Sequence, residues 1–303
     1  MSKPLIVVTG KNGQLGWEML QLAEHFNESF DFLFTGRADL DLSKPETIAP
    51  FFEKNQPDYF VNCAAYTAVD KAEQENELAY KINAESVGLI AQYCAKNHAK
   101  LITISTDYVF DGNGVSPYST DTKTSPINYY GYSKWMGEQL ALSNCAETIV
   151  IRTSWVYSEH GNNFVKTMLR LMNDRPELNV VNDQIGSPTY AADLALTIIK
   201  IIESIALGHA HYGIYHYSNS GVISWFDFAT AIAKEGSKNC MVHPIPSSAY
   251  PTPAKRPGYS VMDCSKLVKD YGIILNPWEL GIKKCISKLL TNRDFFCVFT
   301  NQF

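Results

Sequence analysis

The chain has 303 residues, enough for one large domain or two modest ones with a full core. Its hydrophobic fraction of 46% and charged fraction of 19% are those of an ordinary globular protein rather than a disordered one. A net charge of -5 argues against a nucleic-acid binder, which needs a basic surface, but leaves room for a nucleotide held by backbone amides and a few local cations.

A short apolar run at residues 5–9 reads as a strand. It is followed at once by Gly10-Lys-Asn-Gly13-Gln-Leu-Gly16 and a helical pattern to about residue 26. A glycine-rich turn between a strand and a helix is a place to hold a dinucleotide pyrophosphate. There the amides of Gly13, Gln14 and Leu15 face the anion at the positive end of the helix. The GxxGxxG spacing differs from GxGxxG and is the variant usual in short-chain dehydrogenase-like folds.

Residues 30–34 form a second expected strand, ending in Thr35-Gly36-Arg37. An NAD-selective site usually has an acidic residue at this place for the ribose hydroxyls. Arg37 suits a 2′-phosphate instead, although Asp39 is near, so NADPH is favoured and NADH possible. Asp41 and Leu42 would border the adenine.

A helix is expected over residues 45–54 and a strand over 58–62. The strand runs into Asn62-Cys-Ala64-Ala65-Tyr66-Thr67, where small side chains let a cofactor pass closely. A long helix over 77–97 and a strand over 100–105 follow. That strand ends in Ser105-Thr106-Asp107-Tyr108, where the Thr106 hydroxyl could bond a substrate carbonyl.

Next comes Asn128-Tyr-Tyr130-Gly-Tyr-Ser-Lys134. A tyrosine and a lysine four apart on a helix share one face. The ammonium should favour the phenolate and lower the phenol's pKa, making Tyr130 a tuned proton donor with Lys134 as its partner. Tyr129 and Tyr132 lack that spacing. A fifth strand is expected over 148–151. Strands alternating with helices require a parallel sheet, so the fold class is α/β, a Rossmann-type doubly wound sheet.

After Arg152 the rhythm breaks. Helices over 191–205, 225–234 and near 277–290 are separated by loops rich in proline and glycine, which suggests a smaller mixed α/β substrate-binding lobe. The expected division is 1–152, 153–292 and a tail 293–303, with chain crossings between the lobes possible. Residues 182–189 (Asn-Asp-Gln184-Ile-Gly-Ser-Pro-Thr) and 250–257 (Tyr-Pro-Thr-Pro-Ala-Lys-Arg256-Pro) look like binding loops, the second able to present a guanidinium to a diphosphate. Trp155 is equally readable as core. The tail holds four phenylalanines without periodicity, for which surface packing or fraying is the default.

Seven scattered cysteines (63, 94, 145, 240, 264, 285, 297) form no CxxC pair, which points to reduced thiols of a cytoplasmic protein and to no metal ligands. The first strand leaves no room for a signal peptide, and no apolar run approaches a membrane span. No nucleic acid or membrane partner is expected.

At these motifs, together with RTSWVY, GNNFVKTMLRL, NDQIGSPT and AYPTPAKRP, the chain resembles the dTDP-4-dehydrorhamnose reductases, extended short-chain dehydrogenases/reductases, over roughly residues 4 to 290. The resemblance implies NAD(P)H-dependent reduction of the 4-keto group of a dTDP-4-keto-6-deoxysugar. It implies Tyr130 as proton donor, Lys134 as its ribose-bound partner and Thr106 as the third member. Ile104 would border the cofactor. Asp107, Trp155, Asn163, Gln184 and Arg256 would lie on the substrate side. Some members are homodimers bridged by Mg²⁺ through acidic residues. Glu18 matches one such position, but Ala192, with Asp193 beside it, stands at another. Two alternatives stay open: another nucleotide-sugar epimerase or ketoreductase of the same fold, and a non-catalytic NADP-binding regulatory subunit.

Overall fold

The computed structural model describes residues 3–300, with side chains as far as Thr291. Five strands, β1 (Leu5–Thr9), β2 (Asp31–Thr35), β3 (Tyr59–Asn62), β4 (Lys100–Thr106) and β5 (Thr148–Thr153), lie in one parallel sheet with a sixth, Gly213–Tyr217. The spatial order is Gly213–Tyr217, β5, β4, β3, β1, β2. Ile6, Val7 and Val8 are fully buried, as are Phe60, Val61, Ile149, Val150 and Ile151. Continuous apolar burial of this kind is what a sheet covered on both faces demands.

One face packs on helices Gln14–Ala23 and Ala191–Ala206 through Met19, Leu194, Ile198 and Ile202. The other packs on Ile48–Asn55, Ser86–Lys96 and Tyr129–Asn144 through Phe52, Ile90 and Ala141. The chain therefore returns to the sheet after residue 152, first with a helix and then with the edge strand, whose pairing with β5 is also parallel. The sequence reading had the helix but not the strand.

A separate core gathers Val165, Leu169, Phe228, Ile232, Ile282 and Cys285 from helices Phe164–Asp174, Trp225–Glu235 and Trp278–Thr300. A parallel strand pair, Glu177–Val181 with Met241–Ile245, lies against it. The packing role expected for the tail's phenylalanines lies outside the described residues. Among the described residues no helix is long and apolar enough to cross a membrane, and six cysteines are free thiols.

The helix expected over 77–97 is real but interrupted. Between Asn76–Tyr80 and Ser86–Lys96, residues Lys81–Glu85 form a turn of π-helix. The wider turn brings buried Asn83 against the neighbouring helix, where Nδ2 donates to Ser133 Oγ at 3.0 Å and to the Tyr66 carbonyl at 3.0 Å. Asn83 Oδ1 accepts from the Tyr66 amide at 2.8 Å, so one side chain ties the end of β3 to helix Tyr129–Asn144.

Because β1 sends the chain to β2 on one side and β3 on the other, a crevice opens beyond the carboxyl ends of β1 and β3. The glycine turn, the ends of β2, β3 and β4, and the Tyr130–Lys134 pair meet around that end of the sheet.

Candidate active site

A cleft of about 960 Å³ runs along the carboxyl ends of the strands, at the upper end of the range for small-molecule sites. Gly10 takes φ +74°, a left-handed conformation that glycine tolerates, and turns β1 sharply toward the helix. A Cβ on Gly16 would lie 2.2 Å from the Gly10 carbonyl oxygen, so Gly16 is what lets the helix sit against the turn. Gly16 lies beneath the cleft, whereas Gly10, Gly13, Gln14 and Leu15 line it. Helix Gln14–Ala23 begins at Gly13 with no side chain capping its first amides. The Gly13 amide, expected to face the anion, instead closes the turn on the Gly10 carbonyl at 2.8 Å. The first amides of the helix and its positive end face the cleft, and this suits an anionic pyrophosphate.

Under the turn, buried polar side chains cross the strand ends. Thr9 Oγ1 donates to Asn62 Oδ1 at 2.7 Å and accepts from the Ala64 amide at 3.2 Å. Asn62 Nδ2 donates to Thr103 Oγ1 at 3.3 Å. This row holds β1, β3 and β4 in register where Ala64, Ala65 and Thr67 line the cleft. Nothing in its one-residue-per-strand spacing marks it in the sequence. Tyr66 turns away, its hydroxyl donating to Glu75 at 2.8 Å.

At the end of β2, Arg37, Asp41 and Leu42 line the cleft. Asp39 is already engaged: its carboxylate accepts from Lys11 Nζ at 2.9 Å and from the Gly36 amide at 2.8 Å. These donors, the Gly36 amide foremost, hold its carboxyl below the usual range. Of the two residues that compete for a ribose, Arg37 is the one on the cleft wall.

The far end is formed by β4, β5 and helix Tyr129–Asn144. Asn128 caps this helix by accepting from the Gly131 amide at 2.8 Å. Ile104, Thr106, Asp107, Tyr130, Lys134 and Trp155 all line the same cleft as the glycine turn. Thr106 Oγ1 accepts from the Tyr108 amide at 3.2 Å and donates to Asp107 Oδ1 at 2.9 Å. Asp107 lines the cleft but is only 2% exposed, and its Oδ2 is buried without a hydrogen-bond partner. Burial raises its carboxyl to about 6, against the pull of the Thr106 hydroxyl.

The electrostatics correct one expectation. Lys134 does not lower the Tyr130 phenol. Burial pushes Tyr130 up to about 12, with the Thr106 hydroxyl opposing and the Asp107 charge adding to the rise. Burial also lowers Lys134 to about 8, opposed by Glu138 one turn on. The ammonium donates to the Ile104 carbonyl at 2.6 Å.

Behind this wall, Arg152 and Glu138 form a buried two-point ion pair, Nε to Oε1 at 2.9 Å and Nη2 to Oε2 at 2.7 Å. Ser105 Oγ donates to Glu138 at 2.5 Å, so the pair clamps β4, β5 and the tyrosine helix together. Arg152 opens the RTSWVY motif and Glu138 follows Lys134 by one turn, but their pairing shows only in three dimensions.

Three expected substrate-side residues lie off the lining. Asn163 caps helix Phe164–Asp174 and donates to Gln14 Oε1 at 2.9 Å. Gln184 donates to Ser247 Oγ at 2.9 Å. Arg256 pairs with Asp70 at 2.8 Å, and Asp70 Oδ1 also accepts from the Ala254 amide at 3.1 Å, which pins the proline-rich loop beside the site.

The surroundings of Glu18 do not fit a divalent ion. Glu18 accepts from Ser158 Oγ at 2.6 Å, and neighbouring Glu159 is paired with Lys288 Nζ at 2.5 Å and accepts from the Tyr190 hydroxyl at 3.0 Å. Asp193 is committed to Asn219 and Asn276. A lysine ammonium fills the cationic role here, and among the described residues no three acidic, histidine or cysteine side chains gather around a common point.

The chain is similar to proteins of known family. A family model described as the RmlD substrate binding domain matches residues 4–291. The dTDP-4-dehydrorhamnose reductase of Salmonella typhimurium is 41% identical over 303 residues, covering 94% of this chain and 98% of that protein. The enzyme of the same description from Escherichia coli K12 is 41% identical over 295 residues, with the same coverage. The crystal structure of a Bacillus anthracis dTDP-4-dehydrorhamnose reductase in complex with NADP superposes with a TM-score of 0.89 at 38% identity, over 95% of this chain and 100% of that one.

Proposed function

This chain belongs to the RmlD family, that of the dTDP-4-dehydrorhamnose reductases, and on that premise we propose that its cleft reduces the 4-keto group of dTDP-4-dehydro-L-rhamnose to give dTDP-L-rhamnose. The observation that carries the reading is convergence. Thr106, Asp107, Tyr130 and Lys134 share one cleft with an uncapped helix N-terminus behind a glycine turn.

The glycine turn and the free amides of helix Gln14–Ala23 would hold the pyrophosphate of a nicotinamide dinucleotide, which supplies the hydride when bound. Arg37 on the cleft wall, with Asp39 occupied by Lys11, supports a 2′-phosphate and thus NADPH over NADH. Lys134, buried at the floor of the cleft, would take the ribose hydroxyls.

On the substrate side, the Tyr130 hydroxyl would bond the carbonyl oxygen and polarise it, joined by the Thr106 hydroxyl once its proton turns from Asp107 Oδ1 to the substrate. As that oxygen becomes an alkoxide, Tyr130 gives up its proton. A phenol held near 12 stays protonated at neutral pH, and an alkoxide is more basic still, so transfer is downhill. The raised value therefore suits a donor in the reductive direction better than the lowered one expected from the lysine spacing. Asp107, on the cleft lining, would give its carboxylate to a sugar hydroxyl.

The test is NADPH oxidation with the 4-keto sugar made in place by its upstream enzymes. Oxidation that requires both the C3/C5 epimerase and this protein supports the reading. Tight cofactor binding without oxidation overturns it.

A further inference from the structure

Trp155 has φ +48°, a left-handed backbone that a bulky side chain seldom adopts, and its surroundings hold it there. It follows β5, whose Thr153 pairs in register with Thr106, so the indole stands on the cleft wall close to the reacting end. On either side of it, Ser154 Oγ donates to the Ser187 carbonyl at 2.7 Å and the Trp155 carbonyl accepts from the Thr189 amide at 3.2 Å.

Two contacts fix the ring itself. Trp225 stacks on it with centroids 3.6 Å apart and planes 13° from parallel. From another direction, a Cβ on Gly186 would lie 2.7 Å from Trp155 Cε2 and Cζ2 and as close to Ser260 Oγ, so only a bare backbone fits between them. Both contacts come from one small ribbon. Strand Ile185–Gly186 pairs antiparallel with Ile223–Ser224, placing Ile223 opposite Gly186. Ser224 then caps helix Trp225–Glu235 through a reciprocal pair of bonds with Asp227, at 3.1 Å and 2.9 Å, which sets Trp225 at the first helical position. Phe164 closes on Trp225 with centroids 4.6 Å apart. Trp225 and Gly186 are not on the cleft lining, but Trp155 is.

We propose that Gly186 and Trp225 are positioning residues that form a socket for Trp155 and hold its indole as a rigid wall for the sugar. Neither touches a reacting atom. Their effect falls on sugar affinity through the orientation of one ring, and leaves cofactor binding at the other end of the cleft alone. The inference rests on the reductase reading above.

The experiment uses the full chain and three variants, Trp225→Ala, Trp225→Phe and Gly186→Ala. It reads the KM for the dTDP-4-keto sugar, kcat, the NADPH dissociation constant, and the far-ultraviolet exciton couplet of the stacked indoles. Trp225→Ala and Gly186→Ala should each raise the sugar KM about threefold to tenfold, the size expected for losing one aromatic pair. NADPH affinity should not change. Trp225→Phe keeps a ring behind Trp155 and should stay near wild type. Gly186→Ala, which retains both indoles, should weaken the couplet as it pushes Trp155 aside. The inference is overturned by an unchanged sugar KM in a folded Trp225→Ala, by NADPH affinity falling in step, or by Trp225→Phe failing as badly as Trp225→Ala. If Trp225→Ala does not fold, Gly186→Ala decides. A wild-type protein that oxidises no NADPH with this sugar overturns the reductase reading and the socket's role with it, whereas normal wild-type turnover with indifferent variants overturns the socket alone.

Discussion

The Lys134 ammonium donates to the carbonyl oxygen of Ile104 at 2.6 Å, across the gap between its helix and β4. The bond fixes the lysine at the cleft floor, where burial lowers it to about 8. In the free enzyme, kcat/KM should therefore fall as pH rises through about 8, because kcat/KM reports groups of the free enzyme. Tyr130, near 12, should not contribute to that limb. For stability the sign is opposite. Between about 8 and 10.5 the unfolded chain binds the proton that folded Lys134 has lost, so this residue's contribution rises with pH while activity falls. Rate and melting profiles measured together check both directions.

Tyr130→Phe should keep NADPH affinity and lose kcat by ~10²–10⁴-fold, the usual worth of a positioned acid. Stopped-flow hydride transfer alongside a binding titration measures the two quantities. A rate close to wild type removes Tyr130 from the proton-donor role.

The acid limb belongs to Asp107. Its carboxyl, held near 6 chiefly by burial, loses its charge as pH falls through that value. Asp107→Asn should therefore abolish the decline in kcat/KM for the sugar below about pH 6 and lower the plateau.

Arg37→Ala should weaken NADPH and leave NADH nearly unaffected, narrowing whatever preference the wild type has. Parallel titrations with the two cofactors give the ratio. Equal losses for both would mean that Arg37 meets no 2′-phosphate.

Arg152→Met should destabilise the protein by about 3–5 kcal/mol, because it strands the buried Glu138 carboxylate. Combining it with Glu138→Leu should cost less than the two single changes summed, since both charges then leave together. Denaturant titration of the three variants gives the coupling.

Glu18 is raised from 4.5 to about 7, by burial first, with Ser158 and Lys288 opposing and Glu159 adding. Between those values the folded state holds a proton that the unfolded chain has released, so this contribution to stability declines as pH rises through about 7. Glu18→Gln keeps an acceptor for Ser158 and removes the buried charge. The variant should melt above wild type at about pH 8 and with it at about pH 5.

What could be read from the sequence was what is local. The run ending at Thr9, the glycine turn behind it and the spacing of Tyr130 and Lys134 each lie within one turn or one strand. What could not be read needs a partner from far along the chain. Lys134 finds Ile104 rather than Tyr130 because the helix docks on β4, and helix periodicity says nothing of the strand it meets. Arg256 finds Asp70, 186 residues away, and offers no signal of that pairing. The π turn at Lys81–Glu85 is hidden within an otherwise regular helical pattern. Strand Gly213–Tyr217 is five residues among loops and carries His216 and two tyrosines, so its burial between β5 and the chain's later helices is decided by tertiary contacts.

That strand has a consequence for biosynthesis. When residue 153 leaves the ribosome, β1 to β5 exist, but the outer edge of β5 has no neighbour and the sheet face carrying helix Gln14–Ala23 still lacks its second helix, Ala191–Ala206. Both are completed only when residues 191–217 arrive. The nascent chain must spend that interval with an unpaired, apolar strand edge, the form of surface that recruits other chains. A fragment ending near residue 152 should therefore precipitate when expressed alone, and a chaperone that binds extended apolar segments should find this protein most often at the stage when five strands have been made and the sixth has not.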